Sequence, residues 1–213
     1  MAYASLSESI QDLEPHQLLR IGAECDPYLE MAEIHRRIHE VQGPAILFEK
    51  VTGSPFQALS NLYGTRERTA FLFRHQLEAV QKLIQIKADP ADLLRHPGKF
   101  LSVPFTALKG LPLKALKKPI LHATTTLSQL PQIVSWPMDG GAFITLPQVM
   151  TLPPGNKRIM HSNIGMYRIQ LSGNDYEANK EAGMHYQLHR GIGIHHTLYN
   201  QSAEEFKVSI FVG

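Results

Sequence analysis

Apolar residues follow a helical period, interrupted by short apolar runs, through the first half of the chain, and a β-like texture through the second. Leu6, Ile10 and Leu13 recur at helical spacing over residues 5–14 and stop at Pro15; residues 17–21 then read as a short strand. Asp26-Pro27 has the form of an N-cap followed by proline at the first helical position. Met31, Ile34, Ile38 and Val41 then repeat along one face until Gly43-Pro44 ends the helix. Residues 45–51 read as a buried strand, Gly53-Ser-Pro55 is a turn, and residues 65–87 form two helical segments that direct Leu72, Leu77, Val80 and Ile84 inward. Helices alternating with strands predict an α/β unit.

Prolines at 90, 97, 104, 112 and 119 cut the next stretch into short pieces. Beyond it, residues 120–126, 142–151, 164–171, 184–189 and 206–212 are strand candidates between Gly, Pro and Asn turns. The expected fold class is α/β in the broad sense, that is α+β. A small N-terminal α/β domain occupies residues 1–118 and a β-rich domain residues 119–213. The chain stops on the apolar strand Val208-Ser-Ile-Phe-Val-Gly213, so the β-rich domain is expected to be incomplete.

Composition narrows the partners. Twenty-one basic and 19 acidic residues, net +2, are spread without a long block of one sign, so no nucleic-acid footprint stands out. The single cysteine, Cys25, excludes an intramolecular disulfide framework and suits a small packing residue. No apolar run approaches the ~18 residues of a membrane span, and the N-terminus lacks a basic-then-apolar signal. A soluble, cytoplasmic protein without a transmembrane segment is expected.

Candidate chemistry concentrates in two segments, Asn163-Ile-Gly-Met-Tyr-Arg168 and Gly183-Met-His-Tyr-Gln-Leu-His-Arg-Gly191. Read as two arms of a hairpin, they set an amide and imidazoles beside a guanidinium. Amide oxygen and neutral imidazole suit a divalent ion such as Mn or Mg, and Arg suits bidentate grip on phosphate. His185 and His189, four apart, share one face of a strand or a helix. His195 and His196 cannot both point to one face, and solvent exposure is expected for one of them. Of the eleven histidines, His16, His75, His96 and His122 read as surface or hydrogen-bonded core residues. Trp136-Pro-Met-Asp-Gly-Gly141 reads as a tight turn with an aromatic anchor. The charged run 33–40 reads as a solvated helix face. Neither a P-loop nor a dinucleotide fingerprint occurs, and no Gly-x-Ser-x-Gly elbow is present, so nucleotide and covalent-hydrolase readings lose support.

These motifs, with Asp26-Pro-Tyr-Leu-Glu-Met-Ala-Glu-Ile-His-Arg-Arg37, Gly43-Pro-Ala-Ile-Leu-Phe-Glu49 and Asn61-Leu-Tyr-Gly-Thr-Arg-Glu-Arg68, make the chain resemble the N-terminal part of the UbiD family. Its members are reversible decarboxylases of aromatic and α,β-unsaturated acids that use prenylated FMN. The resemblance implies that residues 119–213 are part of a split-barrel flavin-binding domain. It implies that Asn163, with His189 as second ligand, holds Mn2+, with K+ as a further ion at the site. It sets Met166, Tyr167, Arg168, His185, Tyr186, Gln187, Arg190 and Gly191 against the flavin, and gives Arg168 the catalytic task of reaching the substrate acid. A flavin prenyltransferase would supply the cofactor. The family's remaining metal-binding glutamate and proton-transfer acids lie further along the chain than residue 213. A fragment, a subunit completed by a partner chain or homo-oligomer, and a non-catalytic accessory subunit are therefore all consistent. A histidine-rich metal-binding domain without flavin is a third reading.

Overall fold

The computed structural model describes residues 3, 5–13, 15–111, 123–156 and 158–213. Helix α1 (Leu6–Gln11) starts where Ser5 Oγ accepts from Glu8 N–H at 3.2 Å, and a 3-10 turn (Pro15–Gln17) leads into β1 (Leu18–Cys25), longer than the expected strand. Helix α2 (Glu30–Glu40) carries the chain over to β2 (Ala45–Val51), which pairs parallel to β1, and β3 (Ala58–Ser60) pairs antiparallel to β2. The apolar start of β2 suits the sheet's centre: Ala45, Ile46 and Phe48 are fully buried, Ile46 and Phe48 in one core with Met31 of α2 and Ala45 in another with Leu13 and Leu72.

Helix α2 begins later than the Asp26-Pro27 signal predicts. Asp26 Oδ1 accepts from Tyr28 N–H at 2.8 Å, Glu30 reaches back to Asp26 N–H at 2.6 Å, and Leu29 adopts φ +66. The segment is instead bonded to the second region: Leu29 N–H donates to Val134 O and Val134 N–H to Pro27 O, both at 3.0 Å. Val41, expected inside, lies beyond the helix end and is 74% exposed. The solvated face is as expected, with Arg36 and Arg37 pairing to Glu33 and lowering its carboxyl to about 2.

Two helices follow, α3 (Arg66–Leu72), capped by Thr65, and α4 (Arg74–Ala88). Leu72 is buried, but Leu77, Val80 and Ile84 stay exposed on α4, against expectation. The described part of the proline-rich stretch is divided into short pieces, as expected, and these are helical; Pro112 and Pro119 lie outside the described residues. Pro90, Pro97 and Pro104 stand in the first turns of α5 (Pro90–Arg95), a 3-10 turn (Pro97–Phe100) and α6 (Val103–Lys109), where a missing N–H costs nothing. The expected boundary at 118/119, His122 and the start of the 120–126 strand candidate lie outside the described residues. Residues 123–126 are not a strand.

The second region contains β4 (Phe143–Ile144), β5 (Gln148–Thr151), β6 (Asn163–Met166), β7 (Ile169–Gln170), β8 (Gly183–Met184), α7 (Gly191–Asn200) and β9 (Val208–Phe211). Two three-stranded sheets form, ordered β4-β7-β8 and β6-β5-β9, and no closed barrel occurs among the described residues. The expected strand 206–212 forms as β9, but the two longest expected strands are each divided between the two sheets. Residues 142–151 break around Leu146-Pro147, where proline cannot donate to a ladder, and residues 164–171 break at Tyr167-Arg168. Of residues 184–189 only Met184 remains in a strand. Val149, Ile169 and Ile192 bring both sheets and α7 into one core.

Candidate functional site

The two chemistry-bearing segments are not the arms of one hairpin. Segment 163–166 pairs with β5, Thr151 opposite Asn163, whereas Ile169 and Gln170 pair with Met184 and Gly183. The second ladder continues through His185 N–H to Arg168 O at 3.1 Å, which sets Arg168 and His185 side by side. Between them lies the buried ring of Phe143: the Arg168 guanidinium carbon stands 4.2 Å from its centroid, and His185 meets it edge-on at 5.7 Å. Arg168 has no carboxylate partner among the described residues, so its donors stay available to an anion.

The Asp-Gly-Gly turn supports this arrangement. Asp139 Oδ2 accepts from Ser135 and Trp136 N–H at 3.2 and 3.0 Å, and the turn then packs backbone to backbone on Ser172-Gly173. A Cβ on Gly173 would fall 1.6 Å from Gly140 O and one on Gly141 2.0 Å from Ser172 O, so only glycines allow this approach. Against the turn sits the carboxamide of Gln170, 3% exposed, donating to Ser172 O at 3.0 Å and to Gly140 O at 3.4 Å. Its Oε1 faces His185 Nε2 at 3.1 Å.

Asn163 forms a second focus. Its Nδ2 donates to Tyr167 OH at 3.3 Å, and its Oδ1 lies against Gly191, where a Cβ would come within 2.2 Å. Gly191 is the first residue of α7, so the amide oxygen faces the positive end of a ten-residue helix, beside backbone N–H groups suited to an anion. Helix α7 forms although no element is expected for residues 191–200 and its first turn, Gly191-Ile-Gly193, has low helix propensity. His189 and Arg190 are exposed in the turn that precedes it, closed by Arg190 N–H to Gln187 O at 3.0 Å. Met166 is 66% exposed and stands on the opposite face of β6 from Asn163, as strand alternation requires. Tyr167 packs on the core, and Tyr186 packs there too while bonding His196 Nδ1 through its hydroxyl.

Neither member of the His195-His196 pair is free in solvent, contrary to expectation. His195 Nδ1 meets Thr151 Oγ1 at 2.9 Å, and burial lowers its pKa; His196 stacks on Phe206 at 5.1 Å. His96 is surface-exposed and bonded to Asp92 at 2.8 Å, as expected. Phe143 and Gln170 are the neighbours that sequence reasoning missed. Phe143 follows the Asp-Gly-Gly turn by two residues, a usable signal, whereas Gln170 has the look of a surface residue in an alternating strand. No group of three His, Cys, Asp or Glu side chains at metal-binding distance occurs among the described residues. Two clefts lie away from this group, one beside Leu13 and Leu18 and one lined by Tyr63, Phe73 and Leu77, while Arg168 and His185 are exposed.

The fold is that of the UbiD-class decarboxylases. It matches the closed form of Sedimentibacter hydroxybenzoicus vanillic acid decarboxylase with TM-score 0.78 at 19% identity, over 100% of this chain and 43% of that one. A UbiD-class enzyme from Pelotomaculum thermopropionicum, solved in complex with prFMN, matches with TM-score 0.60 at 21% identity, over 87% of this chain and 39% of its own. Residues 11–87 match the 3-octaprenyl-4-hydroxybenzoate carboxy-lyase N-terminal domain and residues 113–213 the Rift-related domain of the same carboxy-lyase. The chain belongs to the UbiD family. A Chlamydia trachomatis protein is 37% identical over 209 residues, covering 92% of this chain and 33% of the relative. A Chlamydia pneumoniae protein, named as one subunit of a 4-hydroxybenzoate decarboxylase, is 38% identical over 205 residues, with the same coverage of each. The chain thus spans about a third of the length of these relatives.

Proposed function

We propose that the whole protein is a carboxy-lyase that reversibly and non-oxidatively decarboxylates an aromatic or α,β-unsaturated carboxylic acid with prenylated FMN and a divalent metal. The observation that carries this reading is the Arg168–Phe143–His185 group, an unpaired guanidinium fixed over a buried ring, on a strand pair next to the Asn163–Gly191 contact. Arg168 orients the substrate carboxylate by charge-assisted hydrogen bonds, and the Phe143 ring limits the directions its fork can take. Bound prenylated FMN supplies the acceptor for the electrons of the breaking C–C bond.

The residues present fit a phosphate-linked metal better than a bare one. Asn163 Oδ1 and the imidazole of His189 would hold the metal, and the helix end beside Asn163 would favour the negative charge of a cofactor phosphate. K+ is the second ion of the proposal. A further acidic ligand and the proton donor to carbon come from a later part of the family's chain or from a partner. Tyr167, His185, Tyr186, Gln187, Arg190 and Gly191 form the wall toward the flavin; Met166 joins it only if the flavin also reaches the outer face of β6. The division near residue 118, cytoplasmic location and supply of cofactor by a flavin prenyltransferase belong to the same reading. No helix among the described residues is long and apolar enough to cross a membrane.

A subunit role is the second reading. The relative named as a subunit supports it, and so does β9, an edge strand with Ile210 and Phe211 each 44% exposed. Native mass spectrometry of the chain, co-produced with a flavin prenyltransferase and given Mn2+, tests both. Retention of the flavin and metal masses supports the carboxy-lyase site. A folded, empty monomer overturns retention by this chain alone and favours the accessory role.

A further inference from the structure

We infer that Gln170 is a positioning residue that fixes the tautomer of His185, so that the imidazole presents a lone pair rather than an N–H to the candidate site. A polar side chain with 3% exposure in a short strand needs a reason, because an apolar residue would fill the space without requiring hydrogen-bond partners. Gln170 has partners on every side. Its Nε2 points at two carbonyls, Ser172 O at 3.0 Å and Gly140 O at 3.4 Å. Reversing the amide would set its oxygen against both, so the orientation is fixed by the Gly140-Gly141 and Ser172-Gly173 turns.

Oε1 therefore faces the other way, toward Asn174 Nδ2 at 3.2 Å and His185 Nε2 at 3.1 Å. A carboxamide oxygen only accepts, so His185 Nε2 carries the proton and Nδ1, in the neutral ring, is the acceptor. Among the described residues nothing engages Nδ1. The edge-on contact with Phe143 and the backbone bond to Arg168 hold the ring in place. The Asp139-Gly-Gly turn acquires a purpose: it holds the amide that orients the imidazole. On the proposed flavin-facing reading of His185, the neutral ring meets a hydrogen-bond donor of the ligand, and anionic oxygens are left to Arg168 and the end of α7.

The test is ring-nitrogen NMR of the 213-residue chain, without cofactor, with histidine isotopically labelled at both ring nitrogens and at about pH 8, where an ordinary imidazole is neutral. His185 is assigned by the signals lost in His185→Gln. The expected result is a single Nε2–H tautomer for His185, replaced by a mixture of both tautomers in Gln170→Met. A native chain with His185 protonated at Nδ1, or averaging between the tautomers, overturns the inference, as does a folded Gln170→Met variant with an unchanged pattern. If that variant fails to fold, the native spectrum decides. The spectra require no flavin, so failure to retain cofactor would count against the proposed activity and leave this inference standing.

Discussion

Arg68 and Arg168 lie in two of the motifs that carry the family resemblance, yet the two regions use them in opposite ways. Arg68 is 4% exposed and donates to Leu62 O at 2.9 Å, Gly43 O at 3.0 Å and Asn61 O at 2.5 Å; burial lowers its pKa. It ties the loop before β2 to the loop after β3, and all its capacity goes into structure. Arg168 is held by one aromatic face, with its donors unclaimed by any described carboxylate. A motif arginine is thus committed to the fold where backbone carbonyls converge on it and keeps its charge unpaired by described carboxylates where they do not.

The largest effect expected is on Arg68. Arg68→Met removes three hydrogen bonds, taking the side-chain donor from Leu62 O and one of two donors from Gly43 O and Asn61 O, and should destabilise the chain by about 3 kcal/mol in urea unfolding, with Arg68→Lys recovering less than half because it lacks the planar fork. A loss below about 1 kcal/mol would remove the contrast between the regions. Gly191→Ala comes next. Its methyl must displace the Asn163 amide, costing about 1–3 kcal/mol, and Mn2+ retention by the flavin-loaded protein should fall at least about tenfold. Unchanged retention would separate Asn163 from the metal.

Arg168→Gln should shift stability by no more than about 1 kcal/mol, the worth of an exposed cation–π contact. Binding of a benzoate to the loaded protein should weaken at least about tenfold, as expected when a charged hydrogen bond is lost. A stability loss as large as that of Arg68→Met would make Arg168 structural.

The smallest effect is in pH. His35, through burial and then the neighbouring His39, and His195, through burial, both have lowered pKa values, one in each region. The unfolded chain takes up these protons near the ordinary value of about 6.5 and the folded chain only below it. Stability is therefore full above that value and declines as pH falls through it toward the folded pKa values. The urea midpoint should drop modestly between about pH 7.5 and 5.5, and His35→Asn and His195→Asn should each flatten part of the slope. A midpoint that rises on acidification would contradict the burial of both rings.

Much of the first region was legible because its signals are local. The four-residue apolar run Ala45-Ile-Leu-Phe48 that opens β2 needs only its own composition to mark a buried strand, and the solvated face of α2 is set by residues three and four apart. The prolines misled where they act as helix starters, since the same residue that ends one element suits the first turn of the next. In the second region the residue types of the site were readable, an amide, imidazoles and a guanidinium, but their grouping was not. Asn163 and Met166 share a four-residue strand and stand on opposite faces, while Arg168 and His185 are neighbours only through the β7–β8 ladder.

From residue order alone came the kinds of chemistry, the two textures of the chain and the central strand of its first sheet, because periodicity and donor type are properties of near neighbours. Folding settled which groups meet. Gln170 reaches Gly140 across 30 residues and His195 reaches Thr151 across 44, and such contacts depend on whether two separately formed surfaces fit closely enough to satisfy each other's buried polar groups. The glycines at 141, 173 and 191 read as loop residues until the backbones and side chains that press against them are in place.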